Sequence, residues 1–536
     1  MSSFRISRRR VLRTFAAAAA ATAVSRATGD HAQPKSDVCA NGSLFEQPLA
    51  LPGRDGWMGY CDASAPLTLR ATMQSGGRAP LAFVATRDGR TWRNPTLTAD
   101  AGAGVRIALA NAIDEPTIIH WHGLAVDTRN DGNGETVAAP GRSYDYAFTV
   151  RNRAAMYWYH PHPHGMTAGQ AQRGLFGLWF INDDDERGLA RALDAVPGAT
   201  ELPLVLHDRR AAARDRYAPS PADLVHGYFG DEMLVNATFR PYHDAAARGY
   251  RLRIVNAANA RTFLLAFRRD DGSLMPFTLL GTDGGLLARP VPCREVFVAS
   301  AERVDLWVDF SALAIGDFVV LESLAFDPMH MEASAGTAAS GAASGGHDHQ
   351  HNHGGDAAAA TIADGARLSL LQFRIRERAA RSPAPPASLS RLPAAAAPTG
   401  DARPLRLGFA KGRWRINDRV YDMAETPIVV ARNTVETWLL RNYHTSMPHA
   451  MHLHGFAFRV LARETSPPFL APLAVDERGR LATDLGVKDT VLVWPGESVR
   501  IAIDFACPFP GEQIYMLHCH NLEHEDGGMM LRVKVA

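Results

Sequence analysis

The sequence contains few cysteines and almost no net charge. Five of its 536 residues are cysteine, and 57 Lys and Arg against 56 Asp and Glu leave a net charge of +1. The cysteine count excludes more than two disulfides, and the charge balance gives no reason to expect a nucleic acid or an anionic membrane as partner. Past the N-terminal segment, no apolar run is long enough to span a membrane. Because the chain is too long for one core, we expect about three globular domains.

Four cysteines remain once Cys519 is set aside for a motif described below. Cys39, Cys61, Cys293 and Cys507 could form two disulfides, and Cys39 and Cys61 are the nearest pair in the sequence. Four free thiols are the other interpretation. The sequence alone leaves the pairing open.

The first residues have the pattern of a targeting segment. A twin-arginine pattern occupies residues 7–12, and an alanine-rich apolar run follows at 15–24. Small residues near Ala27 or Ala32 offer cleavage sites, and the run is too short for a stable membrane-spanning helix. We therefore expect residues 1–32 to be a twin-arginine signal peptide, and the mature protein to be periplasmic or secreted and free of the membrane.

Beyond residue 45 the pattern is rich in short β-strands. Apolar and polar residues alternate at 105–109, 144–150, 250–255 and 499–505, and Gly, Pro and Asp separate such segments. This pattern predicts an all-β chain built from β-sandwiches.

Two kinds of segment recur along the chain. Residues 252–256 and 437–442 each resemble 105–111, and residues 301–306 resemble 495–501. The recurrence predicts a repeated β unit, although no strict period is visible.

Two further segments have compositions that are not typical of a core. Residues 377–404 are rich in Ala, Pro and Ser and are predicted to be a linker. Residues 329–362 are rich in Ala, Gly and Ser and form an insert within the second unit. The insert carries a run of alternate histidines, namely His347, His349, His351 and His353.

Four clusters contain two histidines separated by one residue. Alternate side chains of a strand lie on one face, so both rings of each pair point the same way. The pairs are His120 and His122, His160 and His162, His452 and His454, and His518 and His520. Eight imidazoles in this arrangement suffice for three metal ions, one with two histidines and two with three each.

Cys519 lies between two of these histidines and therefore points to the opposite face. His449 lies three residues before His452, an odd offset that also places it opposite its neighbouring pair. His524 and Met529 come after this strand, where we expect the chain to turn. A thiolate, two imidazoles and a weak thioether are the ligands of a blue-copper electron-transfer site. One segment is thus expected to serve two metal centres.

Zinc is the competing metal for such clusters. A structural zinc site is closed by four Cys or His ligands. Twelve imidazole, thiolate and thioether ligands in two sets are more typical of copper, so we expect copper.

From about residue 45 to its end the sequence closely resembles the multicopper oxidases, above all the bacterial three-domain copper efflux oxidases, laccases and bilirubin oxidases. The four histidine clusters carry the resemblance, and residues 518–530 are similar to the end of copper efflux oxidases. The resemblance implies three cupredoxin-like Greek-key β-sandwich domains. Their expected bounds are 45–185, 195–376 with the insert 329–362, and 405–536, with the linker 377–404 before the third.

The resemblance also implies four copper ions per chain. Type 1 copper would be held by His449, Cys519, His524 and Met529. Type 2 copper would be held by His120 and His452, and the type 3 pair by His122, His160, His162, His454, His518 and His520. Such an enzyme couples one-electron oxidation of a donor to the four-electron reduction of O2 to water. The axial methionine predicts a moderate redox potential.

Water formation needs protons, and the resemblance points to two acids for their delivery. Asp131 lies nine residues after His122, and Glu525 follows His524 directly. Asp127 competes with Asp131 for this role. A carboxylate beside the cluster could also orient a histidine.

The sequence defines the electron donor less well. Copper efflux oxidases have a methionine and an aspartate beside type 1 copper; here Met447 matches the methionine, but Thr445 stands in place of the aspartate. Their insert is Met-rich, whereas residues 329–362 are His-rich and could capture copper or gate the substrate opening. We expect a monomeric, laccase-like oxidase of phenols or aromatic amines, with cuprous ion as a second donor and a role in copper tolerance.

Three other functions fit the sequence less well. A copper-sequestering protein with little turnover does not require the complete trinuclear ligand set. A structural cell-division relative that lost copper would have replaced ligands, and all twelve are present. A two-domain nitrite reductase is disfavoured by the length and by the four histidine pairs.

Overall fold

The computed structural model describes residues 44–53, 56–76, 78–214, 216–329, 362–393 and 400–536. The predicted signal peptide and residues 330–361 of the predicted insert lie outside this part of the chain. Strands make up 46% of the chain and helices 9%, which confirms the all-β prediction. None of the helices in the described residues is long and apolar enough to cross a membrane.

The first domain consists of two five-stranded sheets around one core. Its strands are β1 Tyr60–Asp62, β2 Leu67–Met73, β3 Leu81–Arg87, β4 Arg90–Arg93, β5 Thr96–Asp100, β6 Gly104–Ala112, β7 Ile119–His122, β8 Ser143–Thr149, β9 Ala155–Pro161 and β10 Gly177–Asn182. Its helices are α1 Thr128–Asp131, α2 Thr167–Gln172 and α3 Asp184–Ala192. The sheet orders are β1-β5-β10-β9-β7 and β4-β3-β2-β6-β8. Apolar side chains of both sheets, among them Leu109 and Trp179, share the core.

The second domain has larger sheets of seven and six strands. Its strands are β11 Glu201–Arg209, β12 Glu232–Val235, β13 Thr238–Phe239, β14 Tyr242–Ala247, β15 Gly249–Asn256, β16 Phe263–Arg269, β17 Leu274–Met275, β18 Phe277–Thr282, β19 Gly285–Cys293, β20 Glu295–Val298, β21 Arg303–Asp309, β22 Phe318–Ser323 and β23 Leu368–Arg378, and its helix is α4 Asp223–His226. The sheet orders are β13-β12-β11-β15-β21-β18-β19 and β14-β23-β22-β16-β17, with β20 paired to β16.

The third domain repeats the five-plus-five arrangement of the first. Its strands are β24 Arg403–Ala410, β25 Arg413–Ile416, β26 Ile428–Val430, β27 Val435–Asn442, β28 His449–Leu453, β29 Phe458–Glu464, β30 Thr490–Val493, β31 Ser498–Asp504, β32 Gln513–Cys519 and β33 Met530–Val535, and its helix is α5 Leu522–Asp526. The sheet orders are β25-β24-β27-β31-β29 and β26-β33-β32-β28-β30.

The segments predicted to recur occupy equivalent strands. β6, β15 and β27 each run parallel to one neighbour, which is β2, β11 and β24 respectively. Each is antiparallel to its other neighbour, which is β8, β21 and β31. The prediction of a repeated β unit is therefore confirmed by the strand pairing.

The segments between the domains are more structured than their composition indicates. The acidic residues at the end of the first domain form α3, whose Glu186 is buried and pairs with Arg251 of β15. Within the predicted linker 377–404, Leu389 and Ser390 are buried against the second domain. The predicted domain bounds themselves stay a prediction.

Of the two interpretations that the sequence left open, disulfides or free thiols, the structure supports free thiols for three of the four cysteines. Cys61, Cys293 and Cys507 are free thiols, and Cys39 lies outside the described residues. Burial raises the pKa of the Cys61 thiol and raises that of Cys293 to about 11, so both stay protonated at neutral pH. These cysteines therefore act as small apolar side chains within their domains.

Candidate metal centres

Two equivalent strand pairs, one in domain 1 and one in domain 3, carry the four histidine pairs. In domain 1, β7 is antiparallel to β9, and His120 lies opposite His160. In domain 3, β28 is antiparallel to β32, and His452 lies opposite His518. Because strand side chains alternate, the second histidine of each pair lies on the same face as the first. The second domain supplies none of these eight histidines.

The two strand pairs face each other and bring all eight imidazoles together. Each of the eight histidines is at most 1% exposed. The nitrogen contacts are His120 Nε2 to His452 Nε2 at 3.4 Å, His122 Nδ1 to His160 Nε2 at 3.3 Å, His160 Nε2 to His520 Nε2 at 3.4 Å, His162 Nε2 to His518 Nε2 at 3.5 Å, and His454 Nε2 to His518 Nε2 at 3.0 Å. The contacts define one group of two histidines and two groups of three.

The donor set of this cluster fits metal ions. The facing nitrogens belong to buried bases, and two such nitrogens can share only one proton. Burial and the neighbouring histidines lower the pKa of His160 to about 3, and burial holds the pKa of His162 at about 4. The rings are therefore neutral and keep their lone pairs, which is the state in which imidazole binds copper.

The outward-facing nitrogens of several cluster histidines donate to fixed oxygens. His120 Nδ1 donates to the Asp131 backbone carbonyl at 2.7 Å, and His454 Nδ1 to the Asp131 carboxylate at 2.8 Å. His452 Nδ1 donates to the backbone carbonyl of Asp489 at 2.8 Å. These partners fix the tautomer and leave the Nε2 lone pair free for a metal ion.

The two predicted proton-delivery acids both touch the cluster. Asp131 is the last residue of α1, and Gly132 follows it with a φ of 69°. A side chain at Gly132 would place its Cβ 1.9 Å from the carbonyl oxygen of Ile119, so this turn requires glycine. Burial raises the pKa of Asp131 well above its usual range. The competing Asp127 instead caps α1, accepting from the backbone of Asn130.

Glu525 contacts two other histidines of the cluster. Its carboxylate oxygens lie 3.4 Å from His162 Nε2 and 3.2 Å from His518 Nδ1. Burial alone would raise the pKa of Glu525, but the two histidines and their hydrogen bonds hold it at about 2. Asp131 and Glu525 are thus each in contact with one or two predicted copper ligands.

The opposite face of the same strands forms a second centre. The Cys519 sulfur lies 3.5 Å from His449 Nδ1 and 3.6 Å from His524 Nδ1. His524 lies on α5 rather than in a simple turn, and the fully buried Met529 accepts at its backbone carbonyl from the Cys519 N–H. Burial raises the pKa of Cys519 to about 12, so the thiolate needs a bound cation.

A short segment of the second domain covers this second centre. His524 Nε2 donates to the backbone carbonyl of Val225 at 2.9 Å, and Trp414 Nε1 donates to the same oxygen at 2.7 Å. The Trp414 ring lies 4.7 Å from the His449 ring and 5.1 Å from the His524 ring, between centroids. The indole therefore packs against both histidines.

A cavity of about 660 Å³ opens beside this cover. Its wall includes Leu224, Phe409, Trp414 and His524. Leu224 and Phe409 are 51% and 45% exposed, so the apolar wall is open to solvent. A flat apolar molecule in the cavity could contact His524, a predicted ligand of the second centre.

Sequence reasoning missed several residues that shape the two centres. Asp489 precedes β30 and contacts both His122 and His452, and Ser300 Oγ lies 3.3 Å from His520 Nδ1. Trp414 and Val225 also had no sequence signal, because their contacts with the second centre are long-range. Only the charged pair at 488–489, just before the apolar residues 491–493, could have drawn attention to Asp489.

Comparison with known proteins agrees with this geometry. Two family models described as "Multicopper oxidase" match residues 84–186 and 397–536. A laccase of Bacillus subtilis (strain 168) is 30% identical over 455 residues, covering 77% of this chain and 78% of that protein. The crystal structure of the McoA multicopper oxidase of Aquifex aeolicus has a TM-score of 0.78 and 31% identity, covering 92% of this chain and 100% of that one.

A second solved structure is similar over nearly the same extent. The laccase-like multicopper oxidase CueO of an Ochrobactrum species has a TM-score of 0.70 and 27% identity, covering 91% of this chain and 100% of that one. The family uses copper to oxidise a donor with O2, and the buried histidine clusters described above suit that metal. The chain belongs to the multicopper oxidase family and is an oxidoreductase that uses O2.

Proposed function

We propose that this protein is a laccase-like oxidase that removes single electrons from phenols and aromatic amines and reduces O2 to water, with cuprous ion as a second donor. The observation that carries the donor class is the apolar cavity beside His524, with its aromatic wall. Aromatic rings stack favourably on one another, with about 0.5–1.5 kcal/mol beyond burial. A phenol stacked on Trp414 would lie close to both histidines of the second centre.

We assign the copper ligands as the resemblance implies. The second centre, with Cys519, His449, His524 and Met529, holds type 1 copper. The pair His120 and His452 holds type 2 copper, and the two groups of three hold the type 3 pair. The contacts that support this are the Nε2 to Nε2 distance of 3.4 Å between His120 and His452 and the joint position of His162, His454 and His518. Copper, when bound, supplies the one-electron transfers that join donor oxidation to O2 reduction.

Asp131 and Glu525 are proposed to deliver protons to the cluster. Each carboxylate touches a cluster histidine, so each is placed to accept a proton and pass it to the site of O2 reduction. Asp131 directly precedes Gly132, which lines a cavity of about 420 Å³ together with Asp127 and Tyr144. Solvent protons would enter from that cavity.

Phenols are favoured over cuprous ion by the residues around type 1 copper. Within the described ranges, every group of three or more His, Cys, Asp or Glu side chains that could hold a metal belongs to the two centres or directly contacts them. Thr445 is exposed, and Met447 packs against the domain core. A separate carboxylate site for cuprous ion therefore finds no support in this part of the chain.

Oxygen uptake by the copper-loaded protein tests the proposed function. We expect a simple phenol to drive O2 uptake, with four phenols oxidised per O2 and no peroxide released. Cuprous ion is expected to support slower uptake. Copper binding without O2 uptake from any donor would contradict the proposal and favour a sequestering protein.

We further propose that the protein is a monomer exported by the twin-arginine pathway and acts in copper tolerance. The support is the twin-arginine pattern at residues 7–12. Replacing Arg8 and Arg9 by lysine is expected to retain the protein in the cytoplasm, measured by cell fractionation. Unchanged export would refute this part of the proposal.

A further inference from the structure

The second domain supplies none of the predicted copper ligands. One of its arginines nevertheless binds an aspartate that contacts the histidine cluster. Arg303 begins β21 and is 2% exposed. Its guanidinium donates to both carboxylate oxygens of Asp489, one of them at 2.7 Å. Asp489 belongs to the third domain, so this two-pronged ion pair joins the two domains next to the cluster.

Asp489 in turn contacts one histidine from each of the copper-binding domains. Its Oδ1 lies 3.1 Å from His122 Nε2, and its backbone carbonyl accepts from His452 Nδ1 at 2.8 Å. The hydroxyl of Thr490 donates to the same carboxylate oxygen at 3.0 Å. The carboxylate is therefore fixed by three donors, namely Arg303, Thr490 and the imidazole of His122.

His122 differs from the other seven histidines of the cluster. Its Nδ1 faces the neighbouring ring, at 3.3 Å from His160 Nε2, whereas the other seven present Nε2 in the nitrogen contacts given above. An imidazole that binds a metal through Nδ1 must carry its proton on Nε2. Asp489 accepts that proton's hydrogen bond, so it determines which nitrogen of His122 is free.

Arg303 is itself held in place by a buried charge network. Its backbone N–H donates to Asp283 at 2.8 Å, and Lys488 lies 3.1 Å from Asp283 and 3.0 Å from Glu302. All of these side chains are buried. A fixed guanidinium leaves Asp489 little freedom to turn away from His122.

We propose that Arg303 and Asp489 form a positioning pair through which the second domain holds His122 with Nδ1 toward the type 3 coppers. The inference rests on the assignment of His122 to the type 3 pair under the proposed function. The pair acts through His122 and touches neither O2 nor the donor. The second domain thus contributes to the metal centre, although it supplies none of the twelve predicted copper ligands.

Copper titration of an Asp489→Ala variant tests this pairing. Removing the hydrogen-bond partner of a metal-ligating histidine typically lowers metal affinity by about 10–100-fold. We expect the copper concentration that half-fills the type 3 pair to rise by about tenfold or more, with a new copper EPR signal from uncoupled ions. The visible thiolate–copper band of the type 1 site should keep its wild-type intensity, because Cys519 lies on the opposite strand face.

Asp484→Ala provides the matched control. Asp484 also forms a buried two-pronged pair with an arginine, Arg463, at 2.6 and 3.0 Å, but that pair touches no cluster histidine. The Asp484→Ala variant should leave unchanged both the copper concentration that half-fills the type 3 pair and the EPR spectrum. If both variants lose type 3 copper and the visible band together, the pair has only a structural role and the inference is wrong.

A conservative variant keeps the test decisive if Asp489→Ala does not fold. Asp489→Asn retains the side-chain volume and an acceptor oxygen for His122 but loses the ion pair with Arg303. We expect the copper concentration that half-fills its type 3 pair to lie between the values of the wild type and Asp489→Ala. If only the asparagine variant folds, that concentration should still be higher than in the wild type. An unchanged concentration and EPR spectrum would overturn the inference, whereas a wild-type protein that binds no copper at the cluster would overturn the proposed function instead.

Discussion

Replacing Trp414 by leucine should weaken the binding of phenolic donors selectively. The indole is 7% exposed, forms part of the cavity wall and lies 4.7 and 5.1 Å from the rings of His449 and His524. Leucine keeps an apolar side chain but removes the stacking face, which is worth about 0.5–1.5 kcal/mol. Since each 1.4 kcal/mol is about tenfold, the KM for a phenol should rise roughly two- to tenfold.

Steady-state O2 uptake with two donors checks this expectation. Ferrocyanide is not aromatic and cannot stack, so its KM should change much less than that of the phenol. The visible thiolate–copper band reports whether the change disturbs the type 1 site, since Trp414 also donates to Val225 over His524. Equal losses for both donors with an unchanged band, or an unchanged KM for the phenol, would refute the placement of the donor on the Trp414 ring.

Three further outcomes follow from the buried contacts. Cys519→Ser should abolish the visible band and turnover, while copper analysis and EPR still find metal in the eight-histidine cluster; loss of all copper would contradict the separation of the two centres. Glu525→Gln should slow O2 uptake by about 10²-fold without changing the visible band, because the amide cannot deliver a proton; turnover at the wild-type rate would exclude Glu525. Arg251→Met leaves Glu186 and Asp305 without their buried cation, which donates to a carboxylate oxygen of each at 2.5 Å. The free energy of unfolding of the copper-free protein in urea should fall by about 3–5 kcal/mol, and a fall below about 1 kcal/mol would show that the carboxylates find other partners.

Local alternation explains why the strand face of each candidate metal ligand could be predicted from sequence. The odd offset between His449 and His452 places them on opposite faces of β28, and the structure brings His449 to Cys519 while His452 meets the other cluster histidines. The same rule separates Cys519 from His518 on β32. Side-chain direction on a strand depends only on neighbours in the chain, so it needs no tertiary information.

Residues that act through space did not show in the sequence. Free Cys61, Cys293 and Cys507 could not be told from paired cysteines, because a disulfide depends on the distance between segments remote in sequence. Leu389 and Ser390 lie in a stretch with linker composition, yet they pack against the second domain. The composition of a segment indicates how soluble it is on average. Whether a particular residue is buried depends on the protein surface against which the segment packs.

The sequence by itself determined the strand-rich pattern, its recurrence along the chain, the candidate ligands and the strand face that each of them occupies. Only the tertiary structure decided what surrounds them: the Arg303 and Asp489 pair behind His122, and Val225 and Trp414 over His524. The physical reason is the range of the interactions. Alternation along a strand is set by adjacent residues. Ion pairs and packing contacts such as those over His524 form between side chains that the fold of three domains brings together.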